Sequence, residues 1–370
     1  MTIAVITGTR PEIIKMYPIM KLFDSRSIDY KFIHTGQHYD YNLFIKFIEE
    51  FEIRKPDVCV STDVSSPVSQ VVNIMQKIGD VLDSMQPSLV LVEGDTNSVL
   101  ASALAALKSG VPIGHIESGL RSNDWKTVEE HNRKIVDNIS DILFSPTDTS
   151  TQNLLNEHVH GEVHTVGNTV IDAINLCLTK ITEDDKTTNT TGTASSSDMD
   201  KQIEDFILVT MHRSENVDDV RILKQVLLAL SDSKLDYVFP MHPHTLKRIR
   251  QYGLTEHIGK SIKIIEPTGY SDFVRLLKKC RFVITDSGGV QEEITSPQIN
   301  KKAIVLRECT ERPESVASGH SVLCNIEHDE ILELITKFQR DYKINSKGSP
   351  PYGNGDSAIK ITEIIEKKYL

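Results

Sequence analysis

Short apolar runs rich in β-branched residues alternate with stretches whose apolar positions recur at helical spacing, beginning with the first residues of the chain. Ile3 to Gly8 reads as a strand and Pro11 towards Phe23 as a helix; Tyr30–His34, Leu89–Glu93, Pro112–Glu117 and Ile142–Ser145 read as further strands, with helical periodicity over Asn97 to Lys108 and Asp148 to Glu157. Strands followed in turn by helices imply a parallel sheet covered by helices on both faces. The alternation resumes in Phe206–Met211, Tyr237–Met241, Ile262–Ile265, Phe282–Thr285 and Ala303–Leu306.

Between the two series lies a polar, low-complexity stretch, Glu183 to Gln202, that cannot bury a core and reads as a flexible linker or loop. The expected organisation is therefore an N-terminal domain over 1–182, a linker over 183–202 and a C-terminal domain over 203–355. After the Pro/Gly segment Ser349 to Gly355, a last helix with Ile361, Ile364 and Ile365 on its apolar positions (356–370) is expected to return to the first domain. No internal repeat of solenoid or propeller period is present. A chain of 370 residues exceeds the size at which one core usually stops growing. The fold class is α/β with two domains, and two domains imply a cleft.

A formal net charge of −11 argues against nucleic acid or an anionic membrane as the main partner, while leaving room for a small anion held by local cations and backbone N–H groups. The five cysteines are widely spaced and form no Cys-x-x-Cys pair, so they read as reduced and structural. Met1-Thr2-Ile3-Ala4-Val5 runs into an apolar strand without the pattern of a signal peptide, and no apolar run approaches bilayer length. The cytoplasm is the expected location.

Several chemistries lack their motif. There is no Gly-x-Gly-x-x-Gly after a strand, no Walker A loop and no His-Glu-x-x-His, and His115-Ile116-Glu117 has no downstream Pro-Cys-x-x-Cys. Asp198-Met199-Asp200 lies in the low-complexity stretch and reads as a solvated charge cluster. Neither a metal nor a cofactor is expected.

The candidate chemistry sits where strands end. Gly8-Thr9-Arg10-Pro11 turns from the first strand into a helix; its start would attract phosphate, with Arg10 and Lys15 adding positive charge, and it reads equally as a glycine turn with two surface cations. Asp286-Ser287-Gly288-Gly289 follows Phe282–Thr285, and two glycines at a helix start let a diphosphate approach free N–H groups and the Ser287 hydroxyl; the alternative is a capped helix. Glu292 or Glu293, a turn further on, suits ribose hydroxyls. Arg312, beside Pro313, could grip phosphate or belong to a surface ion-pair cluster. Asp95, Glu117 and Glu130 lie at or just beyond strand ends of the first domain, and paired carboxylates in a cleft can divide acid and base roles if the strands are neighbours. His212 and the pair His242 and His244 end strands of the second domain, where a histidine can act as general acid or phosphate partner.

Taken in order, Gly8-Thr9-Arg10-Pro11-Glu12-Ile13-Ile14-Lys15, Gly36-Gln37-His38, Gly94-Asp95-Thr96, His115-Ile116-Glu117-Ser118-Gly119-Leu120-Arg121, Glu129-Glu130-His131-Asn132-Arg133, Gly167-Asn168-Thr169, His212-Arg213-Ser214-Glu215-Asn216, Asp286 to Glu293 and Thr310-Glu311-Arg312-Pro313-Glu314 closely resemble the non-hydrolysing UDP-N-acetylglucosamine 2-epimerases over almost the whole chain. The resemblance implies a glycosyltransferase-B-like fold of two Rossmann-like domains with a deep cleft. It also implies interconversion of UDP-GlcNAc and UDP-ManNAc through 2-acetamidoglucal, no metal or nicotinamide, and a homodimer. By position it assigns the UDP to Arg10, Lys15, Ser287, Gly288, Gly289 and Arg312, with Glu293 on the ribose and Phe273 and Thr268 near the base. Asp95, Glu117 and Glu130 would handle protons at C2, and His212 the departing phosphate.

Four departures concern loops and nucleotide contacts: Val128 in place of Pro, His244 in place of Asn, Thr268 in place of Gln, and an altered segment Ser296 to Lys302. Gln37-His38 matches a region near which bacterial relatives carry a second, activating substrate site. Competing readings are an epimerase of another UDP-2-acetamido sugar, a hydrolysing epimerase, a glycosyltransferase of the same fold, and a nucleotide-sugar-binding regulator.

Overall fold

The computed structural model describes residues 1–37, 41–62, 65–191, 205–344 and 348–370. The chain forms two compact units, Met1–Leu176 with Tyr352–Leu370, and Cys177–Pro351.

The first unit holds a parallel sheet ordered β3-β2-β1-β4-β5-β6-β7. Its strands are β1 (Ile3–Thr7), β2 (Tyr30–His34), β3 (Val58–Cys59), β4 (Leu89–Glu93), β5 (Ile113–Ile116), β6 (Ile142–Ser145) and β7 (Glu162–Thr165). Crossovers run through α1 (Arg10–Ser25), α2 (Tyr41–Glu50), α3 (Pro67–Met85), α4 (Asn97–Ser109), α5 (Val128–Ile139) and α6 (Asp148–Asn156), and α7 (Thr169–Thr191) follows. Residues of β1, β4 and β5 are buried on both faces, which is why they read as continuous apolar runs. Local signals start and stop the helices: Ser66 caps α3 by accepting from the Ser69 N–H at 3.0 Å, and Gly110, at φ 68°, ends α4 in the left-handed conformation that glycine adopts without penalty.

The second unit repeats the plan with the order β10-β9-β8-β11-β12-β13. The strands are β8 (Ile207–Thr210), β9 (Tyr237–Pro240), β10 (Ile262–Ile265), β11 (Val283–Thr285), β12 (Ala303–Val305) and β13 (Ser321–Leu323). The helices are α8 (Ser214–Val217), α9 (Val220–Asp232), α10 (Pro243–Gln251), α11 (Tyr270–Lys279), α12 (Gly288–Glu293), α13 (Pro313–Ala317) and α14 (His328–Arg340). Val209, Phe239, Ile284 and Ile304 from four strands pack with Leu223, Leu227, Ile331 and Ile335 from α9 and α14. The expected α/β class with two Rossmann-like domains is the class observed.

The last helix, α15 (Ser357–Tyr369), belongs to the first unit, where it lies on α1 and its Glu366 pairs with Arg26 at 2.6 Å. The unit boundary falls inside α7, which continues to Thr191 through residues read from sequence as the start of a linker. Once the buried turns around Ile171 and Ile174 are formed, each added residue gains a backbone bond at little cost, so even a Thr-rich stretch can extend a helix. The rest of that stretch, with Asp198-Met199-Asp200, lies outside the described residues, as does His38. Among the described residues no helix is long and apolar enough to cross a membrane.

Candidate active site

In each sheet the strand order reverses once, between β1 and β4 and between β8 and β11. Crossovers leave the carboxyl ends of these strand pairs on opposite sides, which opens a crevice suited to a ligand. Arg10, Asp95, His212 and Ser287 lie just beyond those four ends, and Glu117 follows the neighbouring β5.

At the end of β1 the turn into α1 is tied down internally. Glu12, in the first turn of α1, accepts from the Gly8 N–H at 2.6 Å, the Thr9 hydroxyl at 2.7 Å and the Thr96 hydroxyl at 2.8 Å. Glycine is required at position 8, because a Cβ there would lie 2.0 Å from the Ser98 Oγ and 2.4 Å from the Thr35 Oγ1. Burial pushes the Glu12 carboxyl up to about 7 despite the hydrogen bonds that oppose it. This glycine turn therefore locks β1 to α4 through Thr96, with Arg10 opening the helix beside it.

One turn further along α1, Lys15 is buried and ion-paired with two carboxylates, Glu93 Oε1 at 3.2 Å and Glu117 Oε2. The first ends β4 and the second follows β5, and β4 and β5 are hydrogen-bonded neighbours with Glu93 opposite Ile116. Glu117 holds φ at 65°, a left-handed conformation costly for a side chain with a Cβ, so the surrounding structure aims this carboxylate against a local preference. Burial raises the Glu93 carboxyl well above its ordinary range; Lys15 opposes that rise and Glu117 adds to it.

Asp95, two residues beyond β4, is gripped by Arg133 at 2.5 Å, and the Asn132 side chain donates to its carbonyl at 2.8 Å. Arg133 is itself held by Glu130 at 2.9 Å. Glu130 also accepts from the Ser122 N–H at 2.9 Å, the Ser122 hydroxyl at 3.0 Å and the Asn123 N–H at 3.1 Å. Burial alone would raise Glu130, but those N–H groups and Arg133 outweigh it and hold the carboxylate below its usual range. Such a group is suited to anchoring the 122–123 turn and Arg133. Behind it, His115 bridges Asp137 at 2.7 Å and the Gly94 carbonyl at 2.8 Å, and Asp137 pairs with Arg121 at 2.7 Å and accepts from the Gly119 N–H at 3.2 Å. The chain on both sides of Glu117 is thereby fixed to α5.

In the second unit Asp286 is fully buried and clamps the β8–α8 turn. It accepts from the His212 N–H at 3.2 Å, the Arg213 N–H at 3.0 Å and the Asn216 amide at 3.1 Å. The His212 ring stays half exposed, with Nδ1 3.5 Å from Asp286. Ser287 precedes α12 without using its hydroxyl as a cap, and its N–H donates to Thr285 at 3.0 Å. A Cβ on Gly288 would meet the Arg312 guanidinium at 2.8 Å, whereas one on Gly289 would find its nearest neighbour, Ser287 Oγ, at 4.0 Å. Arg312 donates to Glu292 at 2.9 Å and to Glu311. Glu311 also draws in Arg307 at 2.9 Å and Arg213 at 3.7 Å. Three guanidiniums thus surround one carboxylate beside the glycines. Thr268 lies between β10 and α11, half-buried Phe273 is in the first turn of α11, and buried Glu293 ends α12.

The structure therefore brings Lys15 together with Glu117, Asp95 with Glu130 through Arg133, and Gly288 with Arg312. Lys15, expected on phosphate, has its ammonium on two carboxylates, since a buried lysine must be paired. Asp286 holds a turn, its oxygens facing the N–H groups of His212 and Arg213. His244 pairs with Asp218 at 2.9 Å on the surface. Val128 is the exposed first residue of α5, a position whose N–H has no intrahelical partner, so Pro and Val serve it equally. Motif reading missed Glu93, Asp137, Arg213, Arg307 and Glu311 as members of these networks; a charge ending the otherwise apolar run Leu89–Glu93 was the available sign for the first.

A family model described as UDP-N-acetylglucosamine 2-epimerase matches residues 20–366. A UDP-N-acetylglucosamine 2-epimerase of Methanococcus maripaludis is 39% identical over 375 residues, covering 99% of each chain. A UDP-2,3-diacetamido-2,3-dideoxy-D-glucuronate 2-epimerase of Pseudomonas aeruginosa is 35% identical, covering 99% of this chain and 100% of that one. The crystal structure of Methanocaldococcus jannaschii UDP-GlcNAc 2-epimerase in complex with UDP-GlcNAc and UDP superposes with a TM-score of 0.88 at 36% identity, covering 99% of this chain and 100% of that chain. With sequence likeness along nearly its whole length, and a fold that follows that of a solved relative, the chain belongs to the UDP-N-acetylglucosamine 2-epimerase family.

Proposed function

We propose that the chain is a non-hydrolysing epimerase that interconverts UDP-GlcNAc and UDP-ManNAc, and that Glu117 and Asp95 carry the proton at C2. The observation that carries this reading is the pair of adjacent strand ends. One presents Asp95 held by Arg133, the other presents Glu117 in a left-handed conformation on Lys15. The neighbouring strands that sequence reading required for converging carboxylates are β4 and β5.

A C2–H bond is poorly acidic, so departure of the anomeric oxygen must drive its loss. Glu117 takes the C2 proton, the C–H electrons form the C1–C2 double bond, and the C1–O electrons leave with UDP to give 2-acetamidoglucal. Asp95 takes a proton from solvent; UDP oxygen then adds back to C1 as the C1–C2 π electrons take that proton from Asp95 on the opposite face of C2, and Glu117 releases its own proton to solvent; the reverse reaction exchanges the two roles. Ser287, Gly288, Gly289, Arg312 and Arg10 hold the leaving diphosphate, whose charge grows in the transition state and needs preorganised donors. His212 serves the phosphate oxygen, Glu293 the ribose, and Phe273 and Thr268 the base. Glu130 acts through Arg133, and Lys15 holds Glu117. No step calls for a cofactor. A homodimer working in the cytoplasm completes the proposal; light scattering of the purified protein checks the first part.

Incubation with UDP-GlcNAc in deuterated water is the test. Epimer formation with deuterium at C2 supports the reading, with label lost in Asp95→Asn and Glu117→Gln. Free ManNAc as product, or unlabelled epimer, sinks it. The relative from Pseudomonas aeruginosa favours one second reading, a UDP-2,3-diacetamido-uronate as substrate; faster turnover of that sugar would select it.

A further inference from the structure

Glu93 belongs to the same buried cluster as Glu117 yet has no part in the reaction as written. Lys15, Glu93 and Glu117 have side chains only 8%, 2% and 5% exposed, so water screens them little. With both carboxylates ionised, one ammonium would leave the cluster with a net negative charge in a low-dielectric site, which is costly; one proton brings it to neutrality. Glu93 Oε1 lies 3.2 Å from the same Lys15 Nζ that Glu117 Oε2 meets, so the two carboxylates converge on one ammonium and a single proton can be shared between them.

We propose that Glu93 and Glu117 share one proton beside the Lys15 ammonium, and that Glu93, as a positioning residue, retains it so that Glu117 stays an ionised base. This rests on the reading of Glu117 as the base at C2. Two interacting carboxylates titrate as a pair, and the proton that either would hold alone resides on the member with the less favourable site for charge. Glu93 is that member, being the more deeply buried end of an apolar strand. When Glu117 accepts the C2 proton, Glu93 remains the neutral acid that donates to its oxygen; when Glu117 returns a proton, the pair is restored.

The charged groups around Glu93 support the assignment. From α1 come Lys15 and Glu12, and from the end of β5 comes Glu117. Neighbouring β1, Ile3–Thr7, carries no charge, and the charged residue of α4 is Lys108 in its last turn. On α5, Glu130 and Arg133 pair with each other and with Asp95, and Asp137 pairs with His115 and Arg121.

The sign follows from burial raising the Glu93 carboxyl: its proton is kept below the raised value and lost as pH rises through it. The wild-type enzyme should lose kcat along that alkaline limb, as Glu93 ionises and competes for Lys15. Glu93→Gln, which keeps a neutral hydrogen-bond donor, should hold kcat flat across it with KM unchanged. Glu93→Ala, which loses the donor, should lower kcat about tenfold or more at all pH values. Infrared spectra of the ligand-free protein supply a readout independent of turnover. Wild type minus Glu93→Gln should contain a carboxylic-acid carbonyl band that titrates on the same limb and persists in Glu12→Gln. Superimposable pH profiles of wild type and Glu93→Gln, or the absence of that band, would overturn the proposal. If Glu93→Gln does not fold, titration of the band in Glu12→Gln alone decides. A band without any turnover of UDP-GlcNAc would keep the shared proton and defeat the functional reading instead.

Discussion

The Cβ that Gly288 lacks would lie 2.8 Å from Nη1 and 2.9 Å from Cζ of Arg312, so the backbone at the start of α12 passes the guanidinium at a distance that glycine alone permits. Arg312 is in turn fixed by Glu292 and Glu311, which leaves it little room to give way.

Gly288→Ala should therefore displace Arg312 and weaken UDP binding about tenfold or more, a loss of roughly 1.4 kcal/mol for each factor of ten. Gly289→Ala leaves Arg312 in place, since its nearest atom would be 4.0 Å away, and should cost less. Calorimetric titration with UDP compares the two; equal losses would count against the steric argument.

Replacing Lys15 by Met leaves Glu93 and Glu117 buried without their cation. Breaking a buried pair in this way destabilises by about 3–5 kcal/mol. Because the stranded carboxylates are relieved by protonation, the deficit should shrink as pH falls. Urea denaturation of Lys15→Met and wild type at neutral and acidic pH reads both effects, and a deficit independent of pH would refute the cluster.

Glu130→Gln cannot accept from Ser122, Asn123 and Arg133 as the carboxylate does. It should lower kcat by loosening Arg133 on Asp95, leave UDP affinity unchanged, and lower stability by about 1–3 kcal/mol. A variant that lost UDP affinity with kcat intact would place Glu130 elsewhere in the chemistry.

Asp172 accepts from the Ala358 N–H at 3.1 Å at the start of α15, and burial raises its carboxyl from 3.8 to about 6. The folded state thus binds this proton more tightly than the unfolded chain. The contribution is full below pH 3.8 and is lost as pH rises through about 6. Asp172→Asn, unable to ionise, should gain on wild type by on the order of 2–3 kcal/mol between pH 4 and pH 7. Chemical denaturation at the two pH values tests this; parallel pH dependences would rule it out.

What could be read in advance depended on how local its cause was. β1, β4, β5 and β6 are buried on both faces, and their Ile, Val and Leu runs show it directly. The strands that escaped notice, β3, β7 and β13, sit at sheet edges. There one side has no neighbour, and residues such as Cys59, Glu162 and Thr165 are exposed, so no apolar signal marks them. Asp95, Glu117 and Arg312 were legible from motifs beside strand ends, whereas Arg307 and Glu311 were not, because a charged turn on the surface and a cluster of guanidiniums around one carboxylate have the same composition.

The linear chain by itself determined the class of fold, the strands buried on both faces, and the strand ends at which chemistry could occur, since burial on both faces and turn residues are properties of short segments. The partners were decided only in three dimensions. Parallel pairing of β4 with β5 sets Glu93 beside Glu117, and α1 crosses to bring Lys15 between residues about a hundred positions away, a contact that no local spacing encodes. Charge in a low-dielectric site must be balanced by whatever the topology delivers. The ionisation of these carboxylates is therefore a property of the folded sheet.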